Sequence, residues 1–235
     1  MKKVITLLGI GILVIFLLIL GTYKLMNART YQVFGRLTSQ VHTNQKIVAL
    51  TFDDGPTKNV DKILPLLEQY NAKGTFFLIG NEIEKNPAEA KKLVKAGEQI
   101  GNHTFSHQRM VFKSPSYIKE EIEKTDQLIR QAGYKGEIDF RPPNGKKLIG
   151  LPYYLSQHNR DTIMWTLEPD TYYTNASDKI NYVKKNIKPG SIILIHAMYD
   201  DTGEEVKAIK GILQSLSKEG YKFITVNELQ KLASR

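Results

Sequence analysis

The chain has 235 residues, of which 41% are hydrophobic and 24% are charged, a composition typical of a globular protein. It contains no cysteine, which excludes disulfides, thiolate metal ligands and thiol nucleophiles. The formal net charge is +9, from 33 Lys and Arg residues against 24 Asp and Glu residues. Such an excess raises the question of nucleic-acid binding, so the location of the charges matters.

The first predicted element is an apolar helix at the N-terminus. After Lys2 and Lys3, residues 4–20 are apolar apart from Thr6 and two glycines. With the Gly-Thr-Tyr that follows, this stretch approaches the ~20 residues that span a bilayer. Because no convincing small-x-small cleavage site follows, we predict a signal anchor over residues 1–23, with a cytoplasmic N-terminus and the rest of the chain extracellular. The alternative is a cleaved signal peptide and a secreted protein.

The remaining chain is predicted to be a tether followed by one α/β domain. Residues 24–45 have no sustained periodicity and are predicted to form the tether. Over residues 46–235, strand patterns alternate with amphipathic helical patterns, which indicates parallel strands joined by crossover helices. In chain order these are KIVALTF, VDKILPLLEQY, GTFFLIG, NPAEAKKLVKAG, EQIGNHT, SYIKEEIEKTDQLIRQAG, EIDFRPP, DTIMWTL, DKINYVKKNIKPG, SIILIHA, EEVKAIKGILQSLSKEG and YKFITV. The pattern fits an α/β barrel or a doubly wound sheet.

Polar residues fall where the predicted strands end. Asp53 and Asp54 follow the first strand, His103 ends the third, Arg141 follows the fourth and His196 ends SIILIH. In parallel α/β folds, functional residues cluster at the carboxyl ends of the strands. We therefore expect these side chains to share one cleft.

The acidic and histidine residues have the composition of a metal site. His103 and His107, four residues apart, would face the same way on a helical turn and could share one ion, although surface histidines also have this spacing by chance. A carboxylate is the natural third ligand, and the neighbouring Asp53 and Asp54 supply it. The alternative is a turn or a helix cap, for which Asp-Gly-Pro is good chemistry and which the tripeptide alone would favour. A nearby divalent cation would keep both carboxylates ionised, leaving one free to accept a proton.

Two further residues have alternative interpretations. His196 could protonate a leaving group as a general acid, or it could be a hydrogen-bonded core histidine. Arg141 precedes two prolines and cannot act as an acid or a base at ordinary pH. We expect it to orient a carboxylate such as Asp53, the alternative being a surface charge.

Five segments, in chain order, resemble the motifs of the polysaccharide deacetylases, the NodB homology domain of carbohydrate esterase family four. They are TFDDGP (51–56), HTFSH (103–107), RPPNG (141–145), the segment 165–173 and ILIH (193–196). The resemblance extends from about residue 46 to the C-terminus. It implies a distorted β/α barrel that uses a divalent metal to remove acetyl groups from N-acetylated sugars.

The resemblance also implies a role for each matching residue. The implied metal ligands are Asp54, His103 and His107. Zinc is the expected metal, with cobalt or another divalent ion as the alternative. Asp53 would be the general base and His196 the general acid, with Arg141 holding Asp53 in place.

The third and fourth motifs depart from the family pattern. In the third, Asn144 stands where relatives often have Tyr; we expect Pro143 and Asn144 to contact substrate, with the oxyanion near a backbone N–H of this segment.

In the fourth motif, the chain has Thr-Tyr where relatives often have Asp-Trp, and Asp170 comes one residue early. We therefore predict Asp170 as a catalytic partner of Arg141. Trp165, together with Tyr172 or Tyr173, is predicted to form the wall of the substrate pocket.

An anchored extracellular deacetylase meets cell-wall glycan first. We therefore predict a monomeric peptidoglycan N-acetylglucosamine deacetylase, with N-acetylmuramic acid, chitooligosaccharide and xylan deacetylation as alternatives. A non-catalytic glycan-binding or wall-assembly module is the alternative of a different class. Five basic and no acidic residues precede residue 46, which leaves +4 on the rest of the chain. Since the remaining Lys residues alternate with Glu on helix faces, we expect no nucleic-acid partner.

Overall fold

The computed structural model of the protein describes residues 2–233. Its strands are β1 (Leu37–Thr38), β2 (Ile47–Asp53), β3 (Gly74–Leu78), β4 (Gln99–Asn102), β5 (Thr162–Ile163), β6 (Ile192–Ile195) and β7 (Lys222–Phe223). Its helices are α1 (Lys2–Asn27), α2 (Val60–Gln69), α3 (Gly80–Lys85), α4 (Pro87–Lys95), α5 (Pro115–Gln131), α6 (Gly150–Gln157), α7 (Ala176–Asn186), α8 (Glu204–Lys218) and α9 (Val226–Ala233). Two single 3-10 turns lie at Pro143–Gly145 and Pro169–Thr171.

The strands form a distorted barrel. Four of them pair in parallel in the order β4-β3-β2-β6, β7 pairs with the start of β2, and β1 pairs with β5. Single bridges close the remaining gaps: Phe140 joins Asn102 of β4 to Thr162 of β5, and Leu167 pairs with Ile193 of β6. The structure therefore confirms the predicted α/β fold of distorted (β/α) barrel type.

The apolar patterns explain this arrangement. Six of the seven residues of β2 are buried, since the barrel interior covers one face of the strand and the helices cover the other. Helix α8 buries a stripe at helical spacing, formed by Ile209, Ile212, Leu213 and Leu216. Because the strands are parallel and in register, Asp53 at the end of β2 lies beside Phe77 of β3. The carboxyl ends of these strands therefore lie at one edge of the barrel.

The N-terminal helix stands apart from this core. No residue of α1 is buried, and the helix is long and apolar enough to cross a membrane. It extends to Asn27, four residues past the predicted boundary. An apolar N-terminal helix of this kind is consistent with a signal sequence or a membrane anchor.

Residues 24–45, the segment predicted as a tether, pack against the barrel. Its first residues continue α1, and β1 adds to β5. Beyond β1, Gln40 bridges to Ser191 and Val41 is buried. A two-residue strand and isolated contacts have no periodic pattern, so the sequence alone does not predict this docking.

Candidate active site

The two adjacent aspartates reach the same cleft because the backbone turns between them. Asp53 is the last residue of β2, and Asp54 has a left-handed φ of 74°. The Asp54 N–H donates to the carbonyl of Phe77 at 3.1 Å, which holds this turn against the end of β3. Side chains that would lie on opposite faces of a regular strand therefore both line one cavity.

His103 and His107 lie in a loop, so the predicted helical turn is wrong. Thr104 and His107 both have left-handed backbones, with φ of 68° and 57°. The loop is fixed by polar contacts: Asn102 Oδ1 accepts from the Thr104 N–H at 2.8 Å, and Glu121 accepts from two successive N–H groups of the loop. These contacts bring the two imidazole rings to a centroid separation of 4.9 Å.

Asp54, His103 and His107 have the geometry of a metal site. One ligand atom from each lies within 4.8 Å of the other two. Asp54 Oδ1 lies 3.3 Å from His107 Nε2 and 3.8 Å from His103 Nε2. Among the described residues Asp54 Oδ1 is buried without a hydrogen-bond partner, an unfavourable state that a bound cation would relieve.

The hydrogen bonding of His103 leaves one ring nitrogen available to a metal ion. Its Nδ1 donates to the carbonyl of Arg141 at 2.7 Å, which leaves the lone pair on Nε2 facing the cavity. Burial lowers the pKa of His103, and this effect exceeds the opposing influence of the Asp53 and Asp54 carboxylates. An oxygen-and-imidazole donor set of this kind fits zinc or a similar divalent ion.

Asp53 is held by a completely buried arginine. Arg141 Nη1 donates to Asp53 Oδ1 at 2.6 Å and to Thr51 Oγ1 at 2.8 Å. The rest of the guanidinium donates to the backbone carbonyls of Ile163 and Met164. All three guanidinium nitrogens are therefore bonded within the barrel.

The charges around Asp53 keep it ionised. Burial alone would raise its pKa, but Arg141, His103 and His196 together hold the pKa below its usual value of 3.8. The resulting carboxylate has one oxygen bonded to Arg141, while Oδ2 lies 3.7 Å from His103 Nε2.

Asp170 pairs with His196, and the predicted partnership with Arg141 is wrong. Asp170 Oδ2 accepts from the His196 N–H at 2.7 Å and lies 3.2 Å from His196 Nδ1. The physical reason is register: since Leu167 pairs with Ile193 in parallel, the residue three positions later lies beside His196. Arg141 is instead paired with Asp53.

This contact changes the acidity of His196. Burial lowers its pKa, but the hydrogen bond to Asp170 and the charges of Asp53 and Asp54 raise the value to about 9. Asp170 also contacts Lys179 Nζ at 3.0 Å, and that buried ammonium pairs with Glu205 as well. Burial would raise the pKa of Asp170, but its bonds with His196 and Lys179 lower it. His196 is therefore protonated at neutral pH.

The predicted substrate-binding residues divide into two groups. Asn144 and Trp165 line the cavity, which has a volume of about 490 Å³, and Pro143 is buried next to Asn144. Tyr172 does not line the cavity: it is 62% exposed and packs on Tyr182 with ring centroids 5.4 Å apart. The 3-10 turn at Pro169–Thr171 places Asp170 beside His196 and ends before Tyr172.

Reasoning from the sequence does not single out several residues of this site. Glu168 accepts from Trp165 Nε1 at 2.9 Å and lines the cavity, and its place between Trp165 and Asp170 could have suggested this. Lys179 looks like an ordinary solvated helix lysine, so the sequence carries no signal for its burial. Arg29 also lines the cavity, from a segment expected to be a tether.

Comparisons with known proteins agree with this geometry. The family model described as "Polysaccharide deacetylase" matches residues 40–163. A peptidoglycan-N-acetylglucosamine deacetylase from Bacillus cereus is 35% identical over 199 residues, covering 83% of this chain and 93% of the relative. The crystal structure of the Bc1960 peptidoglycan N-acetylglucosamine deacetylase has a TM-score of 0.78 at 33% identity, covering 83% of this chain and 92% of that one. BA3943, a CE4 family pseudoenzyme from Bacillus anthracis, has a TM-score of 0.76 at 28% identity, covering 84% and 69%. On these matches, the chain belongs to the polysaccharide deacetylase family.

Proposed function

We propose that this protein removes the N-acetyl group from N-acetylglucosamine residues of peptidoglycan, with zinc as its metal. The observation that carries the proposal is the meeting of three units in one cavity: the Asp53–Arg141 pair, the cluster of Asp54, His103 and His107, and His196. The choice of sugar is supported by the similarity to a peptidoglycan-N-acetylglucosamine deacetylase that this chain covers almost completely.

In the proposed reaction, two side chains move the protons. Asp53, ionised and fixed by Arg141, accepts a proton from the attacking water. His196 donates a proton to the nitrogen of the departing amine, since its contact with Asp170 keeps it protonated. A divalent metal held by Asp54, His103 and His107 would polarise the acetamide carbonyl and lower the pKa of water. We place the oxyanion near the backbone N–H of Asn144, at the cavity wall.

The competing class is a non-catalytic glycan-binding or wall-assembly module. One similar structure is titled a pseudoenzyme, so the fold alone does not imply activity. In this chain both aspartates and all three histidines of the site line one cavity. The buried Asp54 oxygen without a hydrogen-bond partner favours metal binding. We therefore favour the enzyme.

The proposal includes the location and organisation of the protein. Helix α1 would cross the cell membrane once, with residues 46–235 as the extracellular catalytic domain of a monomer. No residue of α1 is buried and its apolar run, residues 4–20, is exposed, which supports this because an apolar helix of this length is stable in lipid and not in water.

The test is acetate release by the full chain, purified in detergent micelles with zinc. Peptidoglycan, chitooligomers and acetylated xylan are the substrates, and Asp53→Asn is the matched control. We expect acetate from peptidoglycan, with a loss of ~10²-fold or more in Asp53→Asn while its zinc content is unchanged. No release from peptidoglycan by the native chain would overturn the proposal. Release from acetylated xylan alone would identify the protein as an O-acetyl esterase instead.

A further inference from the structure

The segment that leaves the apolar helix forms part of the wall of the catalytic cavity. Asn27 is the last residue of α1, and Arg29 follows two positions later. Both residues line the same cavity as Asp53 and His196. The helix and the cavity are therefore connected without any intervening linker.

Several contacts fix the end of α1 to the barrel. Lys146 Nζ donates to Asn27 Oδ1, and Lys147 Nζ donates to the carbonyl of Ala28. The backbone N–H of Lys147 donates to the carbonyl of Met26 at 3.3 Å. Lys147 is only 1% exposed, and the Ala28 carbonyl accepts from its ammonium, so the docked segment satisfies a group that would be costly to bury without a partner.

Arg29 extends this docking into the pocket wall. Its guanidinium carbon lies 5.0 Å from the centre of the Trp165 ring, within the range of a cation–π contact. Its Nη2 lies 3.6 Å from Glu168 Oε2, the oxygen that accepts from Trp165 Nε1. Arg29, Trp165 and Glu168 thus form one connected wall, of which one member is contributed by the segment after α1.

Helix geometry fixes how far this wall lies from the lipid. The apolar run ends at Leu20, and at 1.5 Å per residue Asn27 lies about 10 Å further along the helix. The headgroup region is roughly 5–8 Å thick on each side of the hydrocarbon core. Tyr23 and Lys24, which lie between these points, are the residue types that anchor a helix at the interface. The cavity wall would therefore lie just outside the headgroups.

The docking also prevents the catalytic site from moving away from the membrane, as a free tether would allow. A flexible segment of the 22 residues 24–45 would have a root-mean-square length of about 25 Å, enough to carry the site away from the membrane. In the structure this segment runs along the barrel, where β1 pairs with β5 and Arg36 bonds to Asp161 at 2.8 Å.

We propose that the catalytic cavity is held at the bilayer surface, with residues 27–29 as its membrane-side wall, and that its substrate is N-acetylated glycan carried at that surface. This rests on the proposed function, namely that α1 spans the membrane and that the site deacetylates glycan. The substrate class is glycan still attached to, or newly made at, the membrane.

A native fluorophore can report the distance of the cavity from the lipid. Trp165, the only tryptophan, lies in the cavity wall. The full chain is reconstituted in vesicles that contain a lipid with a fluorescence quencher on its headgroup. The test variant carries a 12-residue Gly-Ser insertion between Tyr23 and Lys24, which adds about 19 Å of flexible reach and leaves residues 24–235 unchanged. The control variant carries the same segment appended after residue 235.

We expect the headgroup quencher to reduce Trp165 emission strongly in the native chain and in the control, and weakly in the insertion variant. Equal quenching in all three chains would overturn the proposal, because the cavity would then have the same distance from the lipid with or without the direct connection.

A second measurement uses the reaction. The substrate is an N-acetylglucosamine tetramer, either free in solution or linked to a lipid headgroup in the same vesicles. We expect the insertion to slow acetate release from the lipid-linked tetramer by about tenfold, because effective concentration depends on matched geometry, and to leave the free tetramer unaffected. Equal rates on the lipid-linked tetramer would contradict this inference alone. No release by the native chain from the free tetramer or from peptidoglycan assayed in parallel would instead contradict the proposed function.

Discussion

The contact between Asp170 and His196 makes a prediction about the pH dependence of activity. His196 has an ordinary pKa of 6.5 that the site raises to about 9, and the hydrogen bond to Asp170 is the largest of the raising effects. In Asp170→Asn a neutral amide replaces the carboxylate. It can still accept from the His196 backbone N–H, but it no longer stabilises the imidazolium. We therefore expect the pKa of His196 to fall.

The expected size of the effect depends on pH. With a pKa of about 9, roughly nine-tenths of His196 is protonated at pH 8; if the substitution lowers the pKa to about 7, roughly one-tenth remains protonated. Since a general acid acts only when protonated, Asp170→Asn should lose about tenfold in kcat/KM at pH 8 and less than about twofold at pH 6. The alkaline limb of the pH profile should move down by one to two pH units, roughly 1.4 kcal/mol per unit.

The assay is acetate release from chitooligomers across pH 5–10, together with an NMR titration of His196. The matched control is Glu205→Gln, which removes a negative charge from the partner of Lys179 without touching His196. Its alkaline limb should move less than that of Asp170→Asn. An unchanged limb in Asp170→Asn, or a loss of activity that is the same at pH 6 and pH 8, would refute the reasoning.

The other predictions concern metal binding and stability. His107→Ala should weaken zinc binding by more than about 100-fold in calorimetry. The control His158→Ala, at the exposed end of α6, should leave zinc affinity unchanged. Equal zinc affinities of the two variants would show that His107 is not a metal ligand. Arg141→Met should lower the free energy of unfolding by ~3–5 kcal/mol in urea titrations, because it leaves Asp53 buried without its partner; a loss below ~1 kcal/mol would contradict this. Burial and then the charge of Asp161 raise the pKa of Asp139 to about 7 from an ordinary 3.8. Ionising Asp139 therefore destabilises the fold as pH rises from about 4 to above 7, and Asp139→Asn should be more stable than the native chain by up to ~4 kcal/mol at pH 8 but not at pH 4 in thermal unfolding. The same difference at both pH values would be inconsistent with this assignment.

The sequence predicts the fold class and the convergence of the site because both depend on regular elements. Alternating strands and helices imply parallel strands, and parallel strands bring their carboxyl ends to one edge. Asp53, His103 and His196 each end or directly follow a strand, so their meeting follows from topology alone.

The parts that the sequence does not predict depend on long-range contacts. The loop from His103 to His107 takes its shape from Glu121, whose carboxylate accepts from loop N–H groups. No local pattern indicates this contact, and the i to i+4 spacing wrongly suggests a helix. Asp170 lies beside His196 because Leu167 pairs with Ile193 of β6 through a single bridge. No spacing in the sequence indicates this pairing.

The docking of residues 24–45 is unpredictable for a related reason. It relies on a short strand and on polar contacts, such as those of Lys147 with the end of α1, rather than on an apolar stripe. In a single sequence, a periodic apolar pattern is the main indication that a segment packs against a core. For this reason the sequence places Arg29 in the predicted tether, whereas in the structure it lies over Trp165 in the pocket wall.

The most direct test of the central claim is mass spectrometry of muropeptides. Acetylated peptidoglycan is incubated with the zinc-loaded full chain or with Asp53→Asn, digested into disaccharide fragments and sequenced by fragmentation. The account predicts that the native chain removes one acetyl group per modified disaccharide, that the loss is located on N-acetylglucosamine, and that Asp53→Asn leaves the fragments acetylated. Fully acetylated fragments with the native chain, or equal deacetylation by Asp53→Asn, would contradict it.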